Sequence, residues 1–266
     1  MTAPGPSSLA SVDGEIMAAA EATISVTDEG LVRGDGVFEF IRVYDGIPYA
    51  FEAHFARLQR SARNLRLPLD LEAVRAEANR LLARAGAGHD HEVLRIMITR
   101  GGRRILLTEP VPMIPEQTRL KSITYSPTRI LDGVKSLSYA ANMLAGRLAR
   151  EQGFDEALLV TPHGRVLEAP TSSVFWVQAG EILTPPLDEH ILESITRALV
   201  IQVLDVQERA CTLEQLLGAD EVFLASTARE VQPVLTVDER TYALPGPVTE
   251  RAAAAVQERI RAELRS

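Results

Sequence analysis

The sequence predicts an α/β protein of two domains, in which mixed or antiparallel sheets are flanked by helices. Its 266 residues exceed the usual size of a single domain. Short β-rich runs joined by tight turns outnumber strand–helix–strand repeats, which disfavours a doubly wound parallel sheet. Segments with helical spacing of apolar residues separate these runs and supply the flanking helices.

The first half of the chain alternates between strand-like and helical segments. In chain order they are strand-like residues 14–26, a hairpin over 36–51 about Asp45-Gly46, a helix from Phe51 to Leu65, a helix over 70–85 capped by Asp70, and a hairpin about Gly101-Gly102. A Pro-rich passage from Glu109 to Pro127 follows and marks the domain boundary. We therefore predict a smaller N-terminal α/β domain over 1–118, a linker over 119–127 and a larger C-terminal domain over 128–266.

The second half opens with Lys135 at the predicted start of a helix, and an uncharged run extends from it to Gly146. The later elements are, in order, hairpins about His163-Gly164 and Ala179-Gly180, helices over 190–206 and 212–217, the strand EVFLAST, and a closing helix with Thr249 as its N-cap. A lysine at the start of such an apolar segment is unusual, since an ammonium group normally stays in water or pairs with a carboxylate.

Composition and charge limit the partners of this chain. Lys and Arg number 28 against 36 Asp and Glu, so the formal charge of −8 disfavours nucleic acid or an anionic membrane as the main partner. The single cysteine, Cys211, cannot form an internal disulfide, as expected in a reducing cytosol. The first residues lack the pattern of a signal peptide, and no apolar run reaches the roughly 20 residues of a membrane span. We expect a soluble, cytoplasmic protein.

Common catalytic motifs are absent or weak. The GDG at 34–36 lacks the third glycine of a dinucleotide-binding loop, and there is no Walker A motif. His89 and His91 lie in a Gly-Asp loop and give a weak metal signal, so we expect no metal site. Cys211 has no partner base and fits a buried apolar position. Hydrolase triads and metal catalysis are therefore disfavoured.

Several polar residues remain after these exclusions. Lys135 supplies an amine in apolar surroundings, Glu168 ends a strand before a Thr-Ser-Ser run, and Arg57 lies on the polar flank of a helix. Hydroxyl residues occur near predicted helix starts and strand ends, where backbone N–H groups bind anions. A lysine for a Schiff base, an acid opposite a pyridine nitrogen and donors for a phosphate are the groups that pyridoxal 5′-phosphate requires.

Eight short motifs occur in an order that resembles one family. They are RGDGVFE (33–39), HFARLQRSA (54–62), TRGG (99–102), GVKSLSY (133–139), EAPTSSVFW (168–176), ILTPP (182–186), ESITR (193–197) and FLASTAREVQPV (223–234). This order resembles the class IV aminotransferases, the pyridoxal-phosphate enzymes of fold type IV, from about Gly14 to Thr249. The resemblance implies a two-domain enzyme that is a homodimer and acts on a small-molecule amino donor and a 2-oxo acid.

The resemblance also assigns roles by position. It implies that Lys135 forms the Schiff base and is the catalytic residue, that Glu168 faces the pyridine nitrogen and that Arg57 binds the phosphate. The further cofactor contacts that it implies are Tyr139, Ile195, Thr196, Ser226 and Thr227, and the implied substrate contacts are Phe38, Arg100, Arg104 and Ala228. Two positions depart from the family, since Ser173 replaces an Asn and Pro170 replaces a small residue.

Each of these residues also has a plainer interpretation. Lys135 could flank a surface helix, and Arg57 could be one of several solvated arginines. Ser226-Thr227 could form an ordinary turn in which a hydroxyl bonds the nearby backbone. Arg100 and Arg104 could be solvated charges on their hairpin.

The motifs leave the reaction open between family members. GDGVFE over 34–39 resembles D-amino acid aminotransferases, whereas branched-chain enzymes tend to carry GTGVFEG. The loop after TRGG lacks the Arg-x-His trap by which D-amino acid enzymes bind the substrate carboxylate, so we expect Arg100 or Arg104 to replace it and R-amines to be accepted as well. The first hypothesis is amino transfer from a D-amino acid to a 2-oxo acid such as 2-oxoglutarate or pyruvate. The alternatives are a 4-amino-4-deoxychorismate lyase that releases pyruvate and 4-aminobenzoate, a branched-chain aminotransferase, and a non-catalytic pyridoxal-phosphate-binding protein.

Overall fold

A computed structural model describes residues 8–86, 92–243 and 246–265, which form two compact units. The first unit contains the described residues up to Met113 together with Gly133–Tyr139, and the second contains Ile114–Asp132 and the described residues from Ala140 onward. The division at Met113 falls inside the Pro-rich passage. The segment that carries Lys135 belongs to the first unit, whereas the sequence-based division assigned it to the C-terminal domain. His89 and His91 lie outside the described residues.

The first unit is built on a six-stranded antiparallel sheet. Its strands are β1 (Leu9–Val12), β2 (Glu15–Ala18), β3 (Gly36–Tyr44), β4 (Ile47–Pro48), β5 (Glu92–Thr99) and β6 (Arg104–Pro110). Its helices are α1 (Glu29–Arg33), α2 (Phe51–Asn64) and α3 (Leu71–Ala85). The strand order is β2-β1-β6-β5-β3-β4, and α2 and α3 pack against the sheet.

Local sequence explains the main elements of this unit. Asp45 and Gly46 both have positive φ, 48° and 81°, the conformation of the tight turn that joins β3 to β4, so the predicted hairpin is confirmed. The Asp70 side chain accepts a hydrogen bond from the Ala73 N–H and caps α3, as predicted. Apolar side chains of α2 at helical spacing, such as Phe55, are buried in one core with residues of β3, β5 and β6.

The second unit contains an eight-stranded mixed sheet with the order β11-β10-β9-β12-β13-β7-β8, and β14 pairs with β13. The strands are β7 (Thr118–Thr124), β8 (Glu156–Val160), β9 (Ser173–Gln178), β10 (Glu181–Thr184), β11 (Val206–Glu208), β12 (Glu221–Ser226), β13 (Glu230–Val237) and β14 (Arg240–Thr241). The helices are α4 (Ala140–Glu151), α5 (Ile195–Val203), α6 (Leu213–Leu217) and α7 (Pro247–Leu264). Every residue of the central strand β12 and of the edge strand β8 is buried, so both faces of the sheet are covered at these two strands.

Three predicted boundaries were wrong. The first strand-like run stops at Ala18, so residues 19–26 do not continue it. The predicted helix over 190–206 is shorter, since Ser194 caps it and α5 covers Ile195–Val203. The closing helix α7 is capped at Gly246 rather than at Thr249. Among the described residues, no helix has both the length and the apolar character needed to cross a membrane.

Candidate functional site

Lys135 lies in an extended segment and not at the start of a helix, which corrects the sequence prediction. Its carbonyl oxygen accepts a hydrogen bond of 2.9 Å from the Phe38 N–H, and its own N–H donates to Ser61 Oγ at 3.1 Å. The Leu137 N–H donates to the Gly36 carbonyl oxygen at 2.8 Å. These bonds satisfy the backbone of the segment by pairing with β3 and with a side chain of α2, so α4 begins only after Tyr139. The main chain at the lysine is thus fixed on both sides.

The Lys135 side chain lies against an aromatic pair. Its Nζ is 4.4 Å from the centroid of the Phe38 ring, within the range of a cation–π interaction. The Tyr139 ring meets the Phe38 ring edge-on, with centroids 5.4 Å apart and an interplanar angle of 82°. The structure therefore brings together three of the residues selected from the sequence.

Arg57, the predicted phosphate residue, is buried in an ion pair. Its Nε and Nη2 donate to Oε1 and Oε2 of Glu39 at 2.7 and 2.6 Å, and only 4% of Arg57 is exposed. His54 Nδ1 is 2.7 Å from the same Oε2. His54 and Arg57 are three residues apart and share one face of α2, above Glu39 on β3. Neither Glu39 nor His54 was predicted from the sequence to be a site residue. The signal that could have found His54 is its three-residue spacing from Arg57, which places both side chains on the buried face of an amphipathic helix.

The charges in this cluster are strongly coupled. Burial raises the pKa of Glu39, but the charge and hydrogen bonds of Arg57, with the hydrogen bond of His54, outweigh it and bring the pKa to about 2. Burial also lowers the pKa of His54, against the opposing effect of Glu39. At neutral pH the cluster therefore holds one carboxylate, one guanidinium and a neutral imidazole.

The two arginines proposed for the substrate carboxylate each bind a carboxylate of the chain itself. Arg100 Nε is 2.9 Å from Asp35 Oδ2, and its Nη2 donates to the Leu65 carbonyl oxygen at 2.9 Å. Arg104 Nε is 2.5 Å from Oε1 of the buried Glu77. These contacts explain both arginines as parts of the first unit, and a role in substrate binding stays a prediction.

Glu168 is held by backbone donors and polar neighbours of the second unit. Its Oε1 accepts a hydrogen bond of 3.2 Å from the Leu192 N–H, and its carbonyl oxygen accepts one of 2.8 Å from the Leu159 N–H. Burial, and then the charge of Glu168, raise the pKa of Tyr125, so this phenol stays protonated. The Tyr125 hydroxyl donates to Asn142 Oδ1 at 3.3 Å. Neither Tyr125 nor Asn142 was predicted from the sequence to be a site residue.

The turn after Glu168 contains two buried hydroxyls. Ala169 and Ser172 exchange two backbone hydrogen bonds, which close the turn over 169–172. Within the described part of the chain, Oγ of Ser172 and Oγ of Ser173 are buried without a hydrogen-bond partner. Because buried polar atoms are rarely left unsatisfied, such hydroxyls fit a turn that lies beside a polar ligand.

The first turn of α5 has the features of an anion site. The Ser194 side chain caps the helix by accepting the Arg197 N–H at 3.2 Å. In a helix of this kind the N–H groups of the first residues, here Ile195 and Thr196, have no carbonyl partner within the helix. Together with the positive end of the helix dipole they favour a phosphate. The donor set in this unit therefore fits an anionic ligand.

A second group of hydroxyls lies in the loop between β12 and β13. Ser226 pairs with Glu230 as the last rung of the hairpin, so Thr227, Ala228 and Arg229 form its loop. Ser226 Oγ accepts the Arg229 N–H at 3.3 Å, as in the turn that the sequence allowed as an alternative. This bond occupies Ser226 as an acceptor and leaves its O–H free to donate elsewhere.

The predicted site residues are divided between the two units. The first unit contains Phe38, Arg57, Arg100, Arg104, Lys135 and Tyr139. The second unit contains Glu168, Ile195, Thr196, Ser226, Thr227 and Ala228.

Comparison with known proteins identifies the family. The model of the amino-transferase class IV family matches residues 36–237. The chain belongs to the class IV aminotransferases. Pyridoxal 5′-phosphate is therefore the cofactor of this aminotransferase, as the sequence predicted.

Two relatives in sequence carry different names. D-alanine aminotransferase from Bacillus licheniformis is 32% identical to this aminotransferase over 94% of the chain and 96% of the relative. A protein of Methanocaldococcus jannaschii, provisionally named a branched-chain-amino-acid aminotransferase, is 35% identical over 86% of the chain and 88% of the relative. Sequence similarity alone does not separate the two substrate classes.

Solved structures confirm the fold. An aminotransferase from Mycobacterium tuberculosis, in a form with α-ketoglutarate and pyridoxamine phosphate bound, matches with a TM-score of 0.88 at 28% identity, over 96% of this chain and 99% of that one. A 4-amino-4-deoxychorismate lyase from Pseudomonas aeruginosa matches with a TM-score of 0.81 at 30% identity, over 96% and 99% of the two chains. The predicted fold type IV architecture is therefore confirmed.

Proposed function

We propose that this class IV aminotransferase transfers the amino group of a D-amino acid to a 2-oxo acid such as 2-oxoglutarate or pyruvate. The observation that carries the transaminase chemistry is the Lys135 amine, held against the Phe38 ring by a backbone bonded on both sides. The D-amino acid assignment is supported by GDGVFE and by the similarity to D-alanine aminotransferase along nearly the whole chain. Acceptance of R-amines is part of the same proposal.

Two lysines are candidates for covalent attachment of the cofactor, because the sequence contains only Lys121 and Lys135. Lys121 Nζ is 2.9 Å from Asp238 Oδ1 and is held on β7 by that ion pair. An amine held by a carboxylate in this way is not placed to attack an aldehyde. We therefore assign Lys135 as the amine that binds the cofactor covalently.

When bound, the cofactor supplies the electron sink that stabilises a carbanion at the substrate α-carbon. With the cofactor bound, Lys135 would move a proton at the substrate α-carbon as general base and acid. Glu168 would hold a proton on the pyridine nitrogen, with its Oε1 fixed by the hydrogen bond from the Leu192 N–H. Phe38 packs beside the amine, and Tyr139 meets the Phe38 ring edge-on.

The phosphate is assigned to donors of three kinds. Arg57 supplies a guanidinium, the N-terminus of α5 supplies backbone N–H groups with the Thr196 hydroxyl, and the β12–β13 loop supplies Ser226 and Thr227. The carboxylate of Glu39 already neutralises the charge of Arg57. The N-terminus of α5 and the hydroxyl groups therefore provide much of the attraction for the phosphate dianion.

The amino donor can be tested in a single-turnover experiment. The purified holoenzyme is mixed with D-alanine without an acceptor, and the released pyruvate and the cofactor absorbance are measured. We expect close to one pyruvate per chain and conversion of the cofactor to its pyridoxamine form, with no turnover of L-alanine. Release of pyruvate from 4-amino-4-deoxychorismate but not from D-alanine would favour the lyase, whose specific support is the 30% identity over nearly the full length of the Pseudomonas enzyme.

The attachment site is tested separately by borohydride reduction of the holoenzyme, which makes the bond between cofactor and lysine permanent. We expect the label on the peptide that contains Lys135. The matched pair of variants is Lys135→Arg, which should lose the yellow colour, and Lys121→Arg, which should keep it. A label on Lys121 would refute the assignment.

A further inference from the structure

Arg229 is a buried cation in the loop that the proposed function assigns to the cofactor phosphate. It follows Ala228 in the three-residue loop of the β12–β13 hairpin, but its side chain does not project into solvent. The side chain is 12% exposed and forms an ion pair with Glu156, with Nη2 2.9 Å from Oε2. A charged side chain in a hairpin loop normally stays in water, so its burial needs a reason.

The guanidinium of Arg229 ties the loop to distant strands of the second unit. Glu156 is the first residue of β8, which is separated from β13 by β7 in the sheet. A second arm of the guanidinium, Nη1, donates to the Gln232 side-chain oxygen, and Gln232 Nε2 donates to the Pro115 carbonyl oxygen at 2.6 Å. Gln232 is 2% exposed and Glu156 is 8% exposed, so water does not screen this tether.

The loop itself is strained and needs such support. Glu230, the residue after Arg229, has a φ of 55°, a left-handed conformation that is unfavourable for residues other than glycine. The Arg229 N–H also bonds Ser226 Oγ, so the same residue fixes the hydroxyl and the turn.

We propose that Arg229 is a positioning residue for the cofactor phosphate, which holds the loop 226–228 in place through Glu156 and Gln232 without contacting the phosphate itself. This inference rests on the proposed assignment of Ser226 and Thr227 to the phosphate. By occupying Ser226 Oγ as an acceptor, the Arg229 N–H directs the hydroxyl proton of Ser226 toward an anion. The Arg229 side chain acts on the positions of Ser226 and Thr227, so its effect is specific to ligands that carry the phosphate.

The test compares two forms of the cofactor on the full-length chain. Pyridoxal 5′-phosphate and pyridoxal, which lacks the phosphate, are titrated into cofactor-free protein, and both Kd values are measured by absorbance. In Arg229→Met we expect the Kd for pyridoxal phosphate to rise roughly tenfold, the size of one lost charge-assisted hydrogen bond, while the Kd for pyridoxal changes less than about twofold. Arg229→Lys keeps the charge but loses the planar guanidinium that binds two partners at once. Its Kd for pyridoxal phosphate should lie between those of wild type and Arg229→Met.

The matched control is Arg209→Met. Arg209 forms an exposed ion pair with Glu181 of β10, which lies toward the opposite edge of the sheet from β8. This variant loses the same charge from the same unit and should change neither Kd. If Arg229→Met does not fold, Glu156→Gln tests the same tether, and we expect the same preferential loss of pyridoxal phosphate affinity.

Three results would overturn the inference. An equal rise of both Kd values in Arg229→Met would show that the residue only supports the fold, and no rise in either would show that the loop does not need it. A wild-type chain that binds both ligands equally would overturn the phosphate assignment and this inference together, so the two failures are distinguishable.

Discussion

The buried Glu39–Arg57–His54 cluster makes a quantitative prediction about stability. Replacing Glu39 by Gln keeps the size of the side chain but removes the carboxylate that matches Arg57. The pKa of Glu39 falls from 4.5 to about 2 in the folded chain, a difference of about 2.5 pH units, which corresponds to about 3 kcal/mol. Breaking a buried ion pair by removing one partner costs about 3–5 kcal/mol, so both routes give the same magnitude.

The sign of the pH dependence follows from the direction of the shift. A carboxyl whose folded pKa lies below its unfolded pKa adds stability that is present above pH 4.5 and is lost as the pH falls toward 2. His54 acts in the same direction, since its folded pKa is lowered and protonation below its usual pKa of 6.5 favours unfolding. The wild type should therefore lose stability on acidification. Glu39→Gln should lack the part of this pH-dependent loss that is due to Glu39.

The assay is urea unfolding followed by circular dichroism between pH 3 and pH 8, at one fixed cofactor concentration because bound ligand adds stability of its own. At pH 7 we expect Glu39→Gln to lose about 3 kcal/mol of unfolding free energy, and the gap to wild type to narrow near pH 3. Glu52→Gln is the control, because Glu52 forms an exposed ion pair with Arg75 and should show no measurable change. This account of the cluster would be refuted if Glu39→Gln were as stable as wild type at pH 7 and lost the same unfolding free energy on acidification.

Three further predictions concern other buried groups. Glu221→Ala removes the carboxylate that accepts hydrogen bonds from two N–H groups in the first turn of α7. The unfolding free energy measured by urea titration should therefore fall by about 2 kcal/mol. An unchanged value would show that water replaces the cap. Burial raises the pKa of the Cys211 thiol to about 11, so iodoacetamide should label it at pH 8 only after unfolding, as mass spectrometry can show. Arg104→Ala leaves Glu77 buried without its partner, so the melting temperature should fall while KM for D-alanine stays unchanged; a raised KM would instead place Arg104 at the substrate.

Turns and helix caps whose conformation is determined by residues adjacent in the chain were predictable from the sequence. The Asp45-Gly46 turn, the Asp70 cap and the hairpin about Gly101-Gly102 occur where the local chemistry requires them. In each case the residues that determine the conformation are adjacent in the chain, so no knowledge of the tertiary structure was needed.

Elements whose backbone is satisfied by distant residues were not predictable. Thr249 was expected to cap α7, but the carboxylate of Glu221 on β12 binds the free N–H groups instead, and the helix starts at Pro247. Lys135 was expected to open a helix, but pairing of its segment with β3 keeps it extended. The apolar spacing of α4 cannot show where the helix starts, because the same pattern fits a start before or after this segment.

The same distinction applies to the charged residues of the site. Sequence motifs located Arg57, Arg100 and Arg104, but they did not show that each guanidinium is matched by a carboxylate of the same unit. Arg229 repeats this arrangement in the second unit with Glu156. Since a matched guanidinium attracts an added anion less than an unmatched one, the binding of phosphate and substrate carboxylates depends on oriented N–H and O–H donors as well as on net positive charge. Because each of these guanidinium groups is already paired, we expect arginine content alone to be a poor guide to substrate specificity in this enzyme.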